Sequence, residues 1–237
     1  MGVEKVHFTF EKIGQIESCF KEKFGIPRQP GLVKEARALL RLVPPFSQPE
    51  AVRGLEAYSH VWVQFVFHKA ICKAFKATVR PPKMGGNTRL GVFATRSNFR
   101  PNPIGLSVVE LEKIEVVNNQ AVLYLKGGDF LEGTPVLDIK PYLPYSDSIK
   151  EAKEGYGCVE TPEIAVVFTE GALEELLKAE QTYPQIRQFI IELLQNDPRP
   201  GYQKDPERVY GCHVYDYNLK WKQKEGVVEV IALESSL

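Results

Sequence analysis

The side chains best suited to chemistry lie in one stretch that has no acidic residues. Between Ala57 and Val109 the chain contains no Asp or Glu, although 30 of its 237 residues are acidic. The same stretch carries eight cations: Lys69, Lys73, Lys76, Arg80, Lys83, Arg89, Arg96 and Arg100. Since the formal net charge of the whole chain is zero, the remainder carries a net charge of −8. A local basic patch in a neutral protein predicts an anionic small molecule or a polyanion as its ligand, unless the cations only form a solvated face.

A proline-flanked loop at the centre of this stretch would hold its side chains rigidly. In 100–103, each proline fixes its own φ and restricts the residue before it. Arg100 and Asn102 would therefore project from a stiff loop and lose little entropy on binding. Arg96 and Arg100 could each form a bidentate pair with a carboxylate or a phosphate. The alternative is a structural loop that caps a barrel and whose arginines pair with acids elsewhere.

Two further loops carry groups that could contact a ligand. Gly31, in the proline-flanked segment 26–32, permits close backbone approach, and the paired glycines 127–128 stand beside Asp129. His68 ends an apolar strand, either as a structural group or as a ligand contact.

One predicted strand carries a carboxylate and an amine on the same face. Asp138 and Lys140 are two residues apart, and side chains at that spacing point to one side of a strand. They either form a simple ion pair, or Asp138 accepts a hydrogen bond or a proton in a cleft.

Several common functional signatures are missing. The chain has no phosphate-loop motif, no H-E-x-x-H and no G-x-S-x-G. Gly155 and Gly157 begin a dinucleotide-type glycine pattern, but Glu160 stands where its third glycine belongs. No C-x-x-C pair occurs, so we expect no metal site. The N-terminus has no signal-peptide pattern and no run is apolar enough to span a membrane, so we expect a cytoplasmic protein with buried, inert thiols.

The hydrophobic pattern predicts a mainly β protein. Alternating and β-branched runs predict short strands at 6–10, 61–67, 92–95, 106–117, 121–125 and 136–140. Asn118 and Asn119 predict a hairpin turn, and 48–58 predicts one or two helical turns. So many short strands indicate a sandwich or a closed barrel.

The C-terminal part predicts a smaller α+β domain. It contains a strand at 164–169, helices at 172–180 and 185–195, and a hairpin of 209–217 with 227–233. The predicted organisation is a β-barrel domain at 1–147, a linker at 148–162 and the α+β domain at 163–237.

Five sequence blocks together resemble one known family. They are residues 27–33, 54–60, 88–107, 133–142 and 197–202, and the longest runs Thr-Arg-Leu-Gly-Val-Phe-Ala-Thr-Arg-Ser-Asn-Phe-Arg-Pro-Asn-Pro-Ile-Gly-Leu-Ser. This pattern is similar to that of the TrmO-type tRNA methyltransferases, also called the YaeB/TsaA family. The chain departs from it mildly at Asn98 and at 130–132.

The resemblance implies a fold and an activity. It implies an N-terminal β-barrel that binds S-adenosylmethionine, unlike the Rossmann-like methyltransferases, and a homodimer with the cofactor near the subunit interface. It implies methylation of N6 in threonylcarbamoyl-modified adenosine at position 37 of the anticodon loop of threonine tRNA. The C-terminal domain is expected to help hold the tRNA.

The resemblance also implies roles for individual residues. The residues expected at the cofactor are Gln29, Pro30, Gly31, His68, Arg96, Leu106, Gly128 and Asp129. Those expected at the tRNA are Lys83, Arg89, Arg100, Asn102, Arg199 and Tyr202. Because the methylated nitrogen must lose a proton, we expect a general base, with Asp138 in that role and Tyr142 as an orienting hydroxyl. Two alternatives are an RNA-binding barrel module without catalysis and a methyltransferase that acts on a small molecule.

Overall fold

Alternation of inward and outward side chains builds a closed barrel in the N-terminal part of the chain. The computed structural model describes residues 6–71, 74–81, 88–153, 155, 164–199, 205, 207–224 and 226–236. The strands of this part are β1 Gly14–Ser18, β2 Arg37–Leu42, β3 His60–Val66, β4 Thr78–Val79, β5 Leu90–Gly91, β6 Ile104–Val117, β7 Gln120–Lys126 and β8 Pro135–Pro141. Around the barrel their order is β1-β2-β7-β6-β3-β8, and every neighbouring pair is antiparallel. The pair β4 and β5 forms a separate two-stranded sheet.

Aromatic packing inside the barrel fixes the strand that leads into the candidate site. Phe65 is buried and stands edge-on to Phe130, with the ring centroids 5.1 Å apart. A Cβ added to Gly105 would lie only 2.2 Å from the nearest atom of the Phe65 ring, so β6 needs glycine at this position. Ser107, two residues further along β6, therefore also points inward and is buried.

The second lobe packs two helices against a mixed sheet. Its elements are β9 Ala165–Phe168, α2 Glu170–Thr182, α3 Ile186–Gln195, β10 Tyr210–Val214, β11 Tyr217–Lys224 and β12 Val227–Ser235, preceded by the short helix α1 Pro144–Asp147. The sheet order is β10-β11-β12-β9, with β9 parallel to β12. No helix in the described part of the chain is long and apolar enough to cross a membrane.

The predicted mainly β architecture with a barrel is confirmed, and so are several local predictions. Asn118 and Asn119 both have positive φ in the turn between β6 and β7. Two 3-10 turns, Pro49–Val52 and Leu55–Ala57, occupy the predicted helical segment. Cys19 and Cys212 are buried free thiols, and burial raises the pKa of each to about 12. Cys72, Cys158 and most of the predicted linker lie outside the described residues.

Two predicted strands are wrong. Residues 6–10 have an alternating pattern, but they are coil with Phe8 78% exposed. Residues 92–95 contain the 3-10 turn Val92–Ala94, because the chain bends there from β5 into the loop before β6.

Five strands were missed, and the predicted hairpin in the second lobe is wrong; the missed strands are β1, β2, β4, β5 and β11. In β2 the sequence Arg-Ala-Leu-Leu-Arg-Leu consists of good helix formers, yet pairing with β1 and β7 decides its structure. β1 is a five-residue strand with a single large apolar side chain. β11 lies between β10 and β12, so those two strands do not pair with each other.

Candidate cofactor and RNA site

Three loops converge at one end of the barrel and carry most of the predicted cofactor residues. The Gly31 N–H donates to the Gly127 carbonyl at 2.8 Å, and both glycines have positive φ, of 79° and 75°. From the third loop, Arg96 donates through Nη1 to Oε1 of Gln29. We name these residues the glycine-loop cluster: Gln29, Pro30, Gly31, Arg96, Gly128 and Asp129.

The carboxylate of the cluster is Asp129. Ser107 Oγ donates to Asp129 Oδ1 at 2.6 Å from the inner face of β6. Burial raises the pKa of Asp129, while the Ser107 hydrogen bond and the nearby charge of Arg96 act against that rise. The group is therefore an acceptor that is held in place at the edge of the core.

The arginines of the basic stretch are open to a ligand. Arg96 is exposed, and in the described part of the chain no carboxylate lies within ion-pair distance of it. Arg100 donates to the Thr95 carbonyl at 3.3 Å, and it too has no acidic partner among the described residues. Arg89 and Asn102 are exposed as well. Among the residues that the structure describes, these two arginines therefore do not pair with acids, as the alternative of a structural capping loop would require.

The other two predicted cofactor residues lie beside the same loops but outside the cluster. His68 is half-buried directly after Phe67, whose N–H donates to the Pro103 carbonyl at 2.7 Å. Burial and then the charge of Lys69 lower the pKa of His68, so the imidazole is neutral over a wider pH range. Leu106 is 51% exposed and faces outward from β6.

Asp138 lies on the outer face of the barrel. The strand register places it beside Gln64, which in turn pairs with Leu106, so the three side chains form a row across β8, β3 and β6. Its Oδ2 is 3.5 Å from Lys140 Nζ, and its side chain is 48% exposed. The structure therefore contains the simple ion pair that the sequence left open, on a carboxylate that solvent still reaches.

Tyr142 lies apart from Asp138 and lines a groove. The two are four positions apart along β8 and the residue that follows it, which corresponds to about 13 Å at roughly 3.3 Å per residue. The Tyr142 ring instead neighbours those of His60 and Trp62, with centroids 6.3 Å and 6.0 Å away. These rings, with Val108 and Asp147, line an open groove of about 420 Å³.

The base of this groove is fixed by a carboxylate that the sequence analysis did not select. Asp147 Oδ2 accepts from Trp62 Nε1 at 2.8 Å and from the Leu143 N–H at 2.9 Å. Those two hydrogen bonds, the backbone one first, lower the pKa of Asp147, so the carboxylate stays ionised. Spacing gave no sign of this contact, since 85 residues separate Trp62 from Asp147.

In the second lobe, Arg199 is already neutralised. Its guanidinium donates twice to Asp197, at 2.8 Å and 2.9 Å, and its side chain is only 15% exposed. Arg208, which the sequence analysis missed, is exposed and lies 5.5 Å from the centroid of the same Tyr210 ring that Arg199 approaches at 5.7 Å. The predicted contacts Lys83 and Tyr202 lie outside the described residues. Among the residues that are described, no three His, Cys, Asp or Glu side chains are grouped to hold a metal ion.

Comparison with known proteins matches both parts of the chain. A family model for the tRNA-methyltransferase O N-terminal domain matches residues 15–148, and the TrmO C-terminal domain matches 161–236. The tRNA (adenine(37)-N6)-methyltransferase of Escherichia coli is 49% identical over 230 residues, which cover 96% of this chain and 98% of that protein.

Two further proteins resemble this chain, one by its sequence and one by its crystal structure. A protein of Pseudomonas aeruginosa named putative S-adenosylmethionine-dependent methyltransferase RcsF is 49% identical over 211 residues, covering 88% of this chain and 90% of that protein. A crystal structure of TrmO from the same species superposes with a TM-score of 0.83 at 41% identity, covering 99% of this chain and all of that one.

Proposed function

The chain belongs to the tRNA-methyltransferase O family, and we propose that it transfers a methyl group from S-adenosylmethionine to N6 of adenosine 37 in tRNA. The observation that carries the proposal is the exposed Arg96, tied to Gln29 beside two closely approaching glycines and the Asp129 carboxylate. We extend the substrate to threonylcarbamoyl-modified adenosine in threonine tRNA, as the sequence resemblance implies.

The chemistry of the glycine-loop cluster fits S-adenosylmethionine. Arg96 forms no ion pair with a carboxylate of the described residues, so its guanidinium can receive the carboxylate of a ligand. Asp129 offers an acceptor for an ammonium or a ribose hydroxyl, and the loop at Gly31 and Gly128 lets backbone groups approach closely. His68 and Leu106 flank this end of the barrel and could contact the adenine or its ribose. When bound, the cofactor supplies an electrophilic methyl group, so this chain has to position the acceptor nitrogen and receive its proton.

We propose the aromatic groove as the place where the RNA base is held. Unpaired bases of an anticodon loop can stack on aromatic side chains, and His60, Trp62 and Tyr142 present three rings there. Asp138 lies two residue pairs further along the strands and on the same face, with Trp62 beside Lys140 and Gln64 beside Asp138. This proximity supports Asp138 as the proton acceptor and gives Tyr142 a role through its ring.

The phosphates of the anticodon stem-loop would meet exposed cations on both lobes. Arg89, Arg100 and Asn102 offer donors beside the cofactor cluster, and we retain Lys83 and Tyr202 as proposed contacts. In the second lobe we propose Arg208 as the main phosphate contact, because Asp197 already compensates Arg199. Such contacts make tRNA affinity fall as salt rises.

We also propose a homodimer in the cytoplasm, where tRNA is modified. Leu106 is 51% exposed and Ile104 40% exposed on the outer face of β6, next to the candidate cofactor site. Neighbouring exposed apolar side chains of this kind favour contact with another protein surface. Sedimentation of Leu106→Asp should reveal monomers, and an unchanged mass relative to the unsubstituted protein would remove this face from the interface.

Methyl transfer from labelled S-adenosylmethionine tests the function directly. We expect incorporation into threonine tRNA that carries threonylcarbamoyladenosine, and none into the same tRNA without that modification. Asp138→Asn should lose most of this activity while still binding the cofactor. Near-normal transfer by Asp138→Asn would exclude it as the general base, whereas no transfer by the unsubstituted protein would contradict the function itself.

A further inference from the structure

The loop that carries Gln29 and Gly31 is held by the second lobe as well as by the barrel. It belongs to the connection between β1 and β2, and this connection leaves the barrel to enter the core of the second lobe. Phe20 and Val33 are buried there, and the Phe20 ring lies 5.6 Å from that of Phe189 on α3. Residues of the connection between β1 and β2 therefore complete the core of the second lobe.

Polar contacts tie both ends of the connection to the second lobe. At its start, the Tyr215 N–H donates to the Cys19 carbonyl at 2.7 Å. At its end, the Glu35 N–H donates to Glu192 Oε2 on α3 at 2.9 Å. These bonds restrain the path of the chain on either side of the cofactor residues.

A side chain of the second lobe also bonds the cofactor loop itself, beside the longer bond from Arg28 Nη2 to the Arg199 carbonyl at 3.3 Å. Asn196, at the C-terminal end of α3, donates through Nδ2 to the carbonyls of Leu32 and Glu192, both at 2.8 Å. Two carbonyl oxygens require a donor, so an amide nitrogen fits where a carboxylate would be repelled. Leu32 directly follows Gly31, whose N–H bonds Gly127 on the other side of the loop.

We infer that Asn196 is a positioning residue for the cofactor, through which the second lobe sets the conformation of the 29–31 loop. The inference rests on the proposed binding of S-adenosylmethionine at the glycine-loop cluster. It assigns the second lobe a role in cofactor affinity, in addition to the role in holding tRNA that we propose above.

The test uses the full-length variants Asn196→Ala and Asn196→Asp, with Asn218→Ala and Asn218→Asp as matched controls. Asn218 is exposed on β11 of the same lobe, where its strand partners are His213 and Glu234. Calorimetry should give an S-adenosylmethionine Kd about fivefold higher for Asn196→Ala, the loss expected for one neutral hydrogen bond. Asn196→Asp should lose more, because its carboxylate would face two carbonyl oxygens. Both Asn218 variants should bind like the unsubstituted protein.

A kinetic separation distinguishes positioning from general loss of structure. For Asn196→Ala we expect a raised KM for S-adenosylmethionine, with kcat at saturating cofactor and the KM for tRNA within about twofold of normal. Folded Asn196→Ala that binds the cofactor normally, or that loses only tRNA affinity, overturns the inference. If Asn196→Asp does not fold, Asn196→Ala still decides. Failure of the unsubstituted protein to bind the cofactor would instead contradict the proposed function.

Discussion

A methyl group added at Gly128 would collide with the aromatic core beneath the cofactor site. An ideal Cβ at this position lies 2.7 Å from two ring atoms of Phe130, whereas carbon atoms normally approach to about 3.5 Å. The ring must therefore move by about 0.8 Å. Phe130 is 1% exposed and packs edge-on against Phe65, so its ring has no free path toward solvent. Overpacking of this kind costs about 1–3 kcal/mol of unfolding free energy.

Thermal unfolding of Gly128→Ala measures this effect. For a chain of this length, a loss of about 2 kcal/mol corresponds to a Tm lower by roughly 4–8 °C. Gly171→Ala is the matched control, because nothing lies within 4 Å of its added Cβ on helix α2 and alanine favours a helix. Adding Phe130→Leu to Gly128→Ala should recover part of the loss, as coupling between touching residues requires. A normal Tm for Gly128→Ala, or strictly additive effects of the two substitutions, would refute the steric argument.

Three further predictions concern the groove, the cluster carboxylate and the RNA surface. Tyr142→Phe should keep tRNA methylation and Tyr142→Ala should lower it about tenfold, as stacking requires; loss of activity in Tyr142→Phe would favour the hydroxyl role. Because burial raises the pKa of Asp129 above its ordinary 3.8, cofactor affinity should fall as pH drops through that raised value, and Asp129→Asn should abolish this dependence in calorimetry. The stability of the free protein should change with pH in the opposite direction. Between the pKa of Asp129 in the unfolded state and its higher pKa in the folded state, the folded state binds more protons, so stability rises as pH falls. Arg208→Ala should reduce the salt slope of tRNA binding by about one, and an unchanged slope in a filter-binding titration would remove Arg208 from the interface.

Local sequence patterns predicted the elements whose structure depends on residues close together in the chain. A run of β-branched and aromatic residues identified β3, and two adjacent asparagines identified the turn between β6 and β7. The two-residue spacing also predicted that Asp138 and Lys140 share a strand face, and the two form an ion pair.

Contacts between distant segments could not be read from spacing. Arg96 meets Gln29 across 67 residues, and Trp62 meets Asp147 across 85. Strand β2 has a helix-forming sequence and becomes a strand only because neighbouring strands pair with it. The neutralisation of Arg199 by Asp197, two residues away, was missed for a different reason, since a motif that contains an arginine does not say whether its charge is free.

Calorimetric titration of S-adenosylmethionine into the full-length protein, with Arg96→Gln and Arg53→Gln in parallel, decides whether the glycine-loop cluster holds the methyl donor. Arg53 is an exposed arginine that directly follows the 3-10 turn Pro49–Val52, and in the described part of the chain its only ion pair is with Glu50. We expect saturable binding by the unsubstituted protein and by Arg53→Gln, and binding weaker by roughly tenfold to a hundredfold for Arg96→Gln, because a charged hydrogen bond is lost. No binding by the unsubstituted protein, or equal binding by Arg96→Gln, would contradict the placement of the methyl donor at the glycine-loop cluster.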